Sequence, residues 1–301
     1  MNTPSPLRVV LAATDLSAPS RHGAERAARL ARASDATLTL LHVVSASALD
    51  ALRQWLGANP ATEKAVVEQS RGELHQMAQE LSQRLQWPVT ERLSSGTVLD
   101  DVLAAADELA ADLIVVGARG TGFVRRRALG STAERLLRRS RRPVLVVRRA
   151  AHEPYRRVLV PVDFSPWAVA AIAQARRVAP QAHLVLLHAW NVPFEEKLHF
   201  AGVDEATVEH YRRNARAEAE RRLHQLALDN ALAPGSWTPC LVQGEASLRI
   251  VEQEQEQDCD LIAIGKHGRH IAEELLLGSV TKHVLAETQA DVLVASAVGS
   301  G

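Results

Sequence analysis

The sequence predicts an α/β fold of two doubly wound domains, each with a parallel sheet covered by helices on both faces. Short apolar runs, such as those at 8–15 and 113–117, alternate with longer segments of helical periodicity. The whole pattern then occurs a second time. Five strands with helical crossovers are therefore expected in each half.

A constant offset relates the second half to the first. Asp15 and Asp163 are 148 residues apart, and one offset over a half-chain indicates a duplication. We therefore predict domains at residues 1–150 and 151–301. The same offset relates further pairs: Gly117 to Gly265, Gly120 to Gly268, Gly130 to Gly278, and Ser131 to Ser279.

Local signals place the elements of the first half. Ser17 is expected to cap a helix from about Ala18 to Ala33. The remaining elements follow in order: a strand at 37–44, a long helix over about 62–86, a short strand at 88–93, a helix after Gly96, a strand at 113–117, a helix from about Ser131 and a strand at 143–147. The second-half strands are VLVPVD, LVLLHAW, WTPCLV, LIAIG and DVLVA.

Composition limits the class of protein. A chain of 301 residues with 47% hydrophobic and 23% charged residues is typical of folded globular domains. It has no run of 18 apolar residues and no apolar leader at its start, so we expect no membrane association and a cytoplasmic location. Cys240 and Cys259 match no metal spacing, and we expect small buried thiols, with a redox pair as the alternative.

Charge is divided between the halves although the net charge is zero. Residues 1–150 hold 21 Lys and Arg against 15 Asp and Glu, a net of +6, and residues 151–301 hold 14 against 20, a net of −6. Opposite charge favours docking of the halves on each other or on a second chain.

Candidate site residues fall where doubly wound folds bind ligands, beyond the carboxyl ends of the strands. Asp15 and Gly117 end strands in the first half, as Asp163 and Gly265 do in the second. Each of these glycines begins the pattern G-x2-G-x9-G-[ST], which occurs in both halves.

This pattern suits a phosphate group. Glycines permit positive φ and close approach of a ligand, and successive N–H groups at a helix start attract an anion. Ser131 and Ser279 can donate to a phosphate oxygen, while Asp15 and Asp163 can accept from an adenine amino group or a ribose hydroxyl. Ordinary turn glycines are the alternative, which the matched spacing of two copies disfavours.

On these motifs the chain resembles the universal stress protein family, once per half. The segments TDLS, VDFS, LLHVV and LLHAW and both glycine loops carry the resemblance. It implies strand order 3-2-1-4-5, an intramolecular pseudo-dimer and a bound adenine nucleotide. The nucleotide that the resemblance implies is ATP, with AMP or ADP as alternatives and Mg²⁺ as an optional companion. The implied contacts are Asp15, Val43, Gly117, Arg119, Gly120, Gly130, Ser131 and Thr132, then Asp163, Ala189, Gly265, His267, Gly268, Gly278, Ser279 and Thr281.

The two loops differ in charge. Arg125–Arg127 align with Glu273, Glu274 and Leu275, which predicts weaker ATP binding in the second half, with Lys266, His267 and Arg269 as a partial offset. The basic run continues through Arg138, Arg139, Arg141 and Arg142. That run is either a patch for polyphosphate or an acidic partner, or a solvated helix face.

Other chemistries have weaker support. The sequence has no GxxxxGK[ST], GxSxG or HExxH motif and no nucleic-acid-binding motif. A metal on His267 and His270 is a minor hypothesis, as is catalysis by His42 or His188. Three functions stay open: a nucleotide-binding stress-response regulator with at most slow hydrolysis and an unknown protein partner; an ATP-using hydrolase or nucleotidyl transferase; and an interaction scaffold with vestigial sites. The regulator is favoured, and a homodimer is an open possibility for its assembly.

Overall fold

A computed structural model describes residues 5–56, 60–118, 129–192, 203–268 and 276–296. Its first-half elements are β1 Val9–Thr14, α1 Ala18–Ser34, β2 Thr37–Ser45, α2 Ala46–Leu56, α3 Pro60–Leu85, β3 Thr90–Gly96, α4 Val98–Glu108, β4 Leu113–Gly117, α5 Ser131–Arg139 and β5 Val144–Val147. The second half has β6 Arg157–Pro161, α6 Pro166–Val178, β7 His183–Trp190, α7 Glu205–Asp229, β8 Trp237–Gln243, α8 Ala246–Glu256, β9 Leu261–Gly265, α9 Ser279–Glu287 and β10 Asp291–Ala295.

All strands of the described ranges belong to one sheet. Its order is β3-β2-β1-β4-β5-β10-β9-β6-β7-β8, so each half has the predicted order 3-2-1-4-5. Neighbouring strands within a half are parallel, for example β1 with β2 and β6 with β7. The halves join through their last strands, because β5 and β10 pair antiparallel. An unpaired edge strand invites pairing with another strand, and each half supplies that partner for the other.

Helices cover both faces of this sheet, as predicted. Buried side chains of α1, α3, α6 and α7 pack on one face, and those of α4, α5, α8 and α9 pack on the other. Successive strand residues alternate between the two cores, so that Val158 and Val160 face one and Leu159 the other. Burial on both faces explains why the central strands are apolar runs.

Sequence signals placed most helix starts correctly. Ser17 and Ser165 are the N-caps of α1 and α6, and their side chains accept from the backbone N–H of Ser20 and Ala168. Proline lies in the first turn of each helix, where its missing N–H costs nothing.

Two elements differ from the sequence-based expectation. The third strand spans Thr90–Gly96 rather than 88–93, and its last residues pair with β2. This strand lies at the edge of the sheet and is half-exposed, so its polar end was mistaken for a turn. Helix α2 was not predicted; every side chain described in it is at least partly exposed, so it has no buried stripe to mark it.

The cysteines are free thiols, Cys259 buried and Cys240 half-buried. Burial raises the pKa of Cys259 to about 12 and also raises the pKa of Cys240. Both groups are therefore protonated near neutral pH, which disfavours the redox alternative.

A buried polar network holds the joint between the halves. Oδ1 of Asp291 accepts from the backbone N–H of Arg148 (2.7 Å) and Arg149 (3.2 Å), and Oδ2 accepts from the Tyr155 hydroxyl (2.6 Å). Arg26 of α1 places Nε 3.5 Å from Oδ2 and its guanidinium 4.0 Å from the Tyr155 ring centre. The network joins the first helix, the connecting segment and the last strand.

Asp291→Ala should strongly destabilise the chain, because it leaves the Arg26 charge buried without its carboxylate. We expect a loss of about 3–5 kcal/mol in urea unfolding. Asp291→Asn keeps an acceptor for the backbone amides and should cost less, about 1–3 kcal/mol. Glu134→Ala, which breaks an exposed pair with Arg138, is the control and should cost at most about 1 kcal/mol. Equal losses in all three variants would contradict this role.

The same site predicts a pH effect. Burial raises the pKa of Asp291 above its ordinary value, against the opposing hydrogen bonds and the Arg26 charge. A folded-state pKa above the unfolded one means that stability is lost as pH rises through the folded pKa. Asp291→Asn should lack this part of the slope in unfolding measured from pH 4 upward.

Candidate functional site

A cavity of about 410 Å³ lies at the carboxyl ends of the first-half strands. All the predicted contacts that the structure describes in this half lie in its wall, namely Asp15, Val43, Gly117, Gly130, Ser131 and Thr132. Leu41, Val98, Leu99 and Val102 supply an apolar side. Arg119 and Gly120 fall outside the described residues.

A second cavity, of about 320 Å³, occupies the equivalent place in the second half. It brings together Asp163, Ala189, Gly265, His267, Gly268, Gly278, Ser279 and Thr281. The duplication has thus produced two partly open clefts, each lined by strand ends and by the start of a helix.

Both aspartates are oriented by a left-handed residue that sequence reasoning missed. Leu16 and Phe164, which follow Asp15 and Asp163, have φ of 63° and 62°. Non-glycine residues rarely adopt this conformation, which costs roughly 1–2 kcal/mol. Its recurrence at equivalent positions indicates a built feature, and the repeated Asp-x-Ser was the available signal.

The turns that follow β1 and β6 hold one carboxylate oxygen of each aspartate in place. Oδ1 of Asp15 accepts from the N–H (3.1 Å) and hydroxyl (2.5 Å) of Ser17, and Asp163 does the same with Ser165 at 3.0 and 2.6 Å. Each serine also caps the following helix, so the aspartate is held rigidly to that helix.

Histidines brace the same turns. Nδ1 of His42 lies 2.9 Å from the Thr14 carbonyl oxygen, and Nδ1 of His188 lies 2.7 Å from that of Val162. A carbonyl only accepts, so Nδ1 carries the proton in both rings. These contacts support a positioning role in place of the catalytic hypothesis, and His188 also contributes to the second cavity wall.

Helix starts also line each cavity. Gly130 and Gly278 are the N-caps of α5 and α9, and in the described structure neither cap supplies a side-chain hydrogen bond. Ser131, Thr132 and Ala133 of the first turn of α5 line the first cavity. Helix N–H groups and the positive end of the helix dipole therefore adjoin the cavity, an arrangement that attracts anions.

The reason given above for the glycines is partly wrong. Gly130 and Gly278 have φ of −64° and −56°, so neither needs the left-handed region. Gly265 is required by packing, because an added Cβ would lie 2.7 Å from Cβ of Trp167. At Gly268 an added Cβ would lie 3.3 Å from Oδ2 of Asp163, whereas at Gly278 it would meet nothing closer than 3.5 Å.

Two second-half residues are turned to other partners. Thr281 donates its hydroxyl to the Gly265 carbonyl (2.9 Å), which leaves no hydroxyl proton for a phosphate. Lys266 donates through Nζ to carbonyls at the end of α5, so its ammonium group is held against the other half. Arg125–Arg127, Arg269, His270 and 273–275 lie outside the described residues.

The two cavities also differ in lining. The first contains the hydroxyls of Thr14 and Ser20, which lie 2.8 Å apart, where the second has Val162 and Ala168. In the second half Trp167 packs edge-on against the buried His267 ring, with ring centres 4.7 Å apart. The first cavity is thus the larger and more polar of the two.

Arginines near the end of α5 have carboxylate partners. Arg138 pairs with Glu134, and Arg139 with Asp100 at 2.8 Å. Arg142 lies 3.6 Å from Asp107. Local pairing of this kind favours the solvated helix face over a patch for polyphosphate. Over the described ranges, no group of three His, Cys, Asp or Glu residues is arranged to hold a metal ion.

The fold and the paired cavities define a tandem α/β protein of the doubly wound class. A sequence profile of the universal stress protein family matches residues 6–148 and again 154–296, so the chain belongs to that family. A universal stress protein of Mycolicibacterium smegmatis is 27% identical and aligns over 95% of this chain and 96% of its own.

A solved structure of the same family agrees with the fold. A universal stress protein from Archaeoglobus fulgidus superposes with a TM-score of 0.72 at 19% identity, covering 96% of this chain and 98% of its own. Another universal stress protein, solved in complex with cAMP, covers 49% of this chain and 100% of its own at 26% identity and a TM-score of 0.35. No helix in the described residues is long and apolar enough to span a membrane.

Gly265 and Gly278 should respond differently to alanine. Gly265→Ala forces Trp167 and α6 to shift and should cost about 1–3 kcal/mol in urea unfolding. Gly278→Ala meets only ordinary contacts and should cost less than about 1 kcal/mol, mainly through a poorer N-cap. If Gly278→Ala proves the more damaging, the packing assignment of Gly265 is wrong.

Proposed function

We propose that this chain is a regulatory protein of the stress response that binds an adenine nucleotide in each half. One observation carries the proposal: in each half, an oriented aspartate and a helix start with Gly-Ser line the same cavity. The residues 1–150 and 151–301 would be the two domains, and a cytoplasmic location and a protein partner belong to the same proposal.

Each part of the cavity suits one part of a nucleotide. A volume of about 410 Å³ falls in the range of roughly 300–1,000 Å³ that is typical of small-molecule sites. The apolar side formed by Leu41, Val98 and Val102 suits a purine ring. Asp15 would accept from ribose or the adenine amino group, and the start of α5 would hold phosphate oxygens.

Slow hydrolysis at most is expected at such a site. Asp15 is the only carboxylate in the described wall of the first cavity, and one of its oxygens is held by Ser17. A general base must reach the attacking water, and the described wall offers no second candidate. Mg²⁺, if bound, would be held chiefly by the phosphates.

The alternatives make different predictions. An ATP-using hydrolase or transferase requires multiple turnovers, whereas a regulator requires only binding and a change of partner. A scaffold with vestigial sites would bind no nucleotide. Calorimetry with ATP, ADP, AMP and cAMP, followed by a turnover assay and a pull-down with and without ATP, separates the three.

Valine at the helix starts should block the sites one at a time. Gly130→Val and Gly278→Val place two methyl groups in the proposed phosphate positions, and φ at both sites is open to any residue. We expect stoichiometry to fall from two ATP to one in each variant, measured by calorimetry. Gly72→Ala, on open surface of α3, is the control. Unchanged stoichiometry in both valine variants would refute the proposed site.

The first site should bind ATP more tightly than the second. Arg125–Arg127 of its loop are replaced by Glu273, Glu274 and Leu275, and Lys266 is turned away from the second cavity. Each exposed charge contributes about 1 kcal/mol or less after screening, so about tenfold in affinity is expected. Titration of ATP into Gly278→Val measures the first site, and titration into Gly130→Val measures the second. The difference between the two affinities should become smaller as the salt concentration rises. A tighter second site at low salt would show that loop charge does not set the order.

A further inference from the structure

Lys266 links the loop of the second cavity to a helix of the first half. Its side chain is buried, and Nζ donates to the carbonyl oxygens of Arg138 (2.6 Å) and Ser140 (3.2 Å). These carbonyls close the C-terminal end of α5, where the helix dipole favours a cation. Burial excludes competing water, so the contact holds α5 in one position relative to the loop.

The backbone of Lys266 is equally fixed at the second cavity. Its N–H donates to the Ala295 carbonyl at the end of β10, and its own carbonyl accepts from the N–H of Gly278, both at 3.0 Å. Gly278 is the N-cap of α9 and part of the cavity wall. A ligand that fixes this helix start therefore fixes Lys266 as well.

Helix α5 connects that contact to the first cavity. Its first turn lines the first cavity, while its last turn lies against Lys266. Nine residues of α-helix span about 13.5 Å as a stiff rod. The antiparallel pairing of β5 and β10 explains this arrangement, because the strands of the two halves run in opposite directions. A helix that begins beside the carboxyl ends of the strands in its own half therefore ends beside the carboxyl ends of the strands in the other half.

A reciprocal contact runs in the other direction. Arg148 donates through Nη2 to the carbonyl of Leu285, near the end of α9, whose first turn lines the second cavity. Arg148 follows Val147, whose carbonyl accepts from the N–H of Ala118 at 2.8 Å, next to Gly117. Each half thus holds the end of the helix that begins at the other half's site.

We propose that the two sites are energetically coupled through Lys266, so that nucleotide in the second site raises the affinity of the first. This proposal rests on the proposed function. Occupation of the second cavity orders Gly278 and Lys266, which orders α5 and presents its first turn to the first ligand at lower entropic cost. Linkage requires the reverse effect to be equal.

A double-mutant cycle tests the coupling. The dissociation constant of the first site for ATP is measured in four chains: the unmodified protein, Gly278→Val, Lys266→Met and the double variant. Gly130→Val, in which only the second site binds, gives the second-site constant that is needed to fit the two-site titrations. Blocking the second site should weaken first-site binding threefold or more when Lys266 is present. When Lys266 is replaced by Met, adding Gly278→Val should leave the first-site dissociation constant unchanged.

Two further variants show whether the effect is specific to this contact. Arg177→Met removes a different charged contact between the halves, from Nη2 of Arg177 to Oδ1 of Asp112 at 2.7 Å, far from Lys266 in the chain. It should lower stability and leave the coupling intact. Lys266→Arg keeps a cationic donor at the end of α5 and should retain most of the coupling.

A second readout covers the case in which Lys266→Met does not fold. In Gly130→Val, where only the second site binds, ATP should slow amide hydrogen exchange at residues 136–140 threefold or more. Unchanged exchange there, or a first-site constant indifferent to Gly278→Val, overturns the coupling and leaves nucleotide binding standing. Absence of ATP binding in every chain overturns the proposed function and the coupling together.

Discussion

Antiparallel pairing of β5 with β10 is the contact on which the arrangement of the molecule depends. It turns two five-stranded sheets into one and runs the strands of the halves in opposite directions. The carboxyl ends of the strands in the two halves therefore point in opposite directions. As a result, the two cavities lie at opposite ends of the sheet along the strand direction. Helices α5 and α9 lie on the same face, packed into a core continuous across the joint, so each reaches from its own cavity towards the other half.

Fusion allows the two sides of this joint to differ, which a dimer of identical chains cannot do. Asp291 and Lys266 are both buried ionic side chains, and the residues at the equivalent places in the first half are Pro143 and Ala118. Arg148, which holds the end of α9, corresponds to Ser296, which donates to the Arg142 carbonyl at 3.1 Å. A buried charge is costly unless it has a partner. In a fused chain each such charge occurs once, whereas a symmetric dimer would have to bury and pair two copies of it.

Much of this fold was accessible from the sequence, for an identifiable reason. Strands buried on both faces appear as continuous apolar runs, so β4 and β10 were placed to the residue, and the repeat fixed the number of units. The misses, β3 and α2, are elements with no fully buried face. Within the site, the motif spacing correctly predicted that Asp15 and Gly130 line one cavity. It could not predict the partner of Lys266, because the local sequence does not determine where the end of a long flexible side chain lies.

Using β5 and β10 inside the chain also limits how two copies can associate. In the part of the chain that the structure describes, β3 and β8 are the two outermost strands of the joined sheet. Pro239 lies within β8, where it removes a backbone donor, and β3 begins Thr90-Glu91-Arg92, with charged side chains. Both features discourage the addition of another strand. Among the described residues, extension of the sheet by a strand of a second copy is therefore disfavoured.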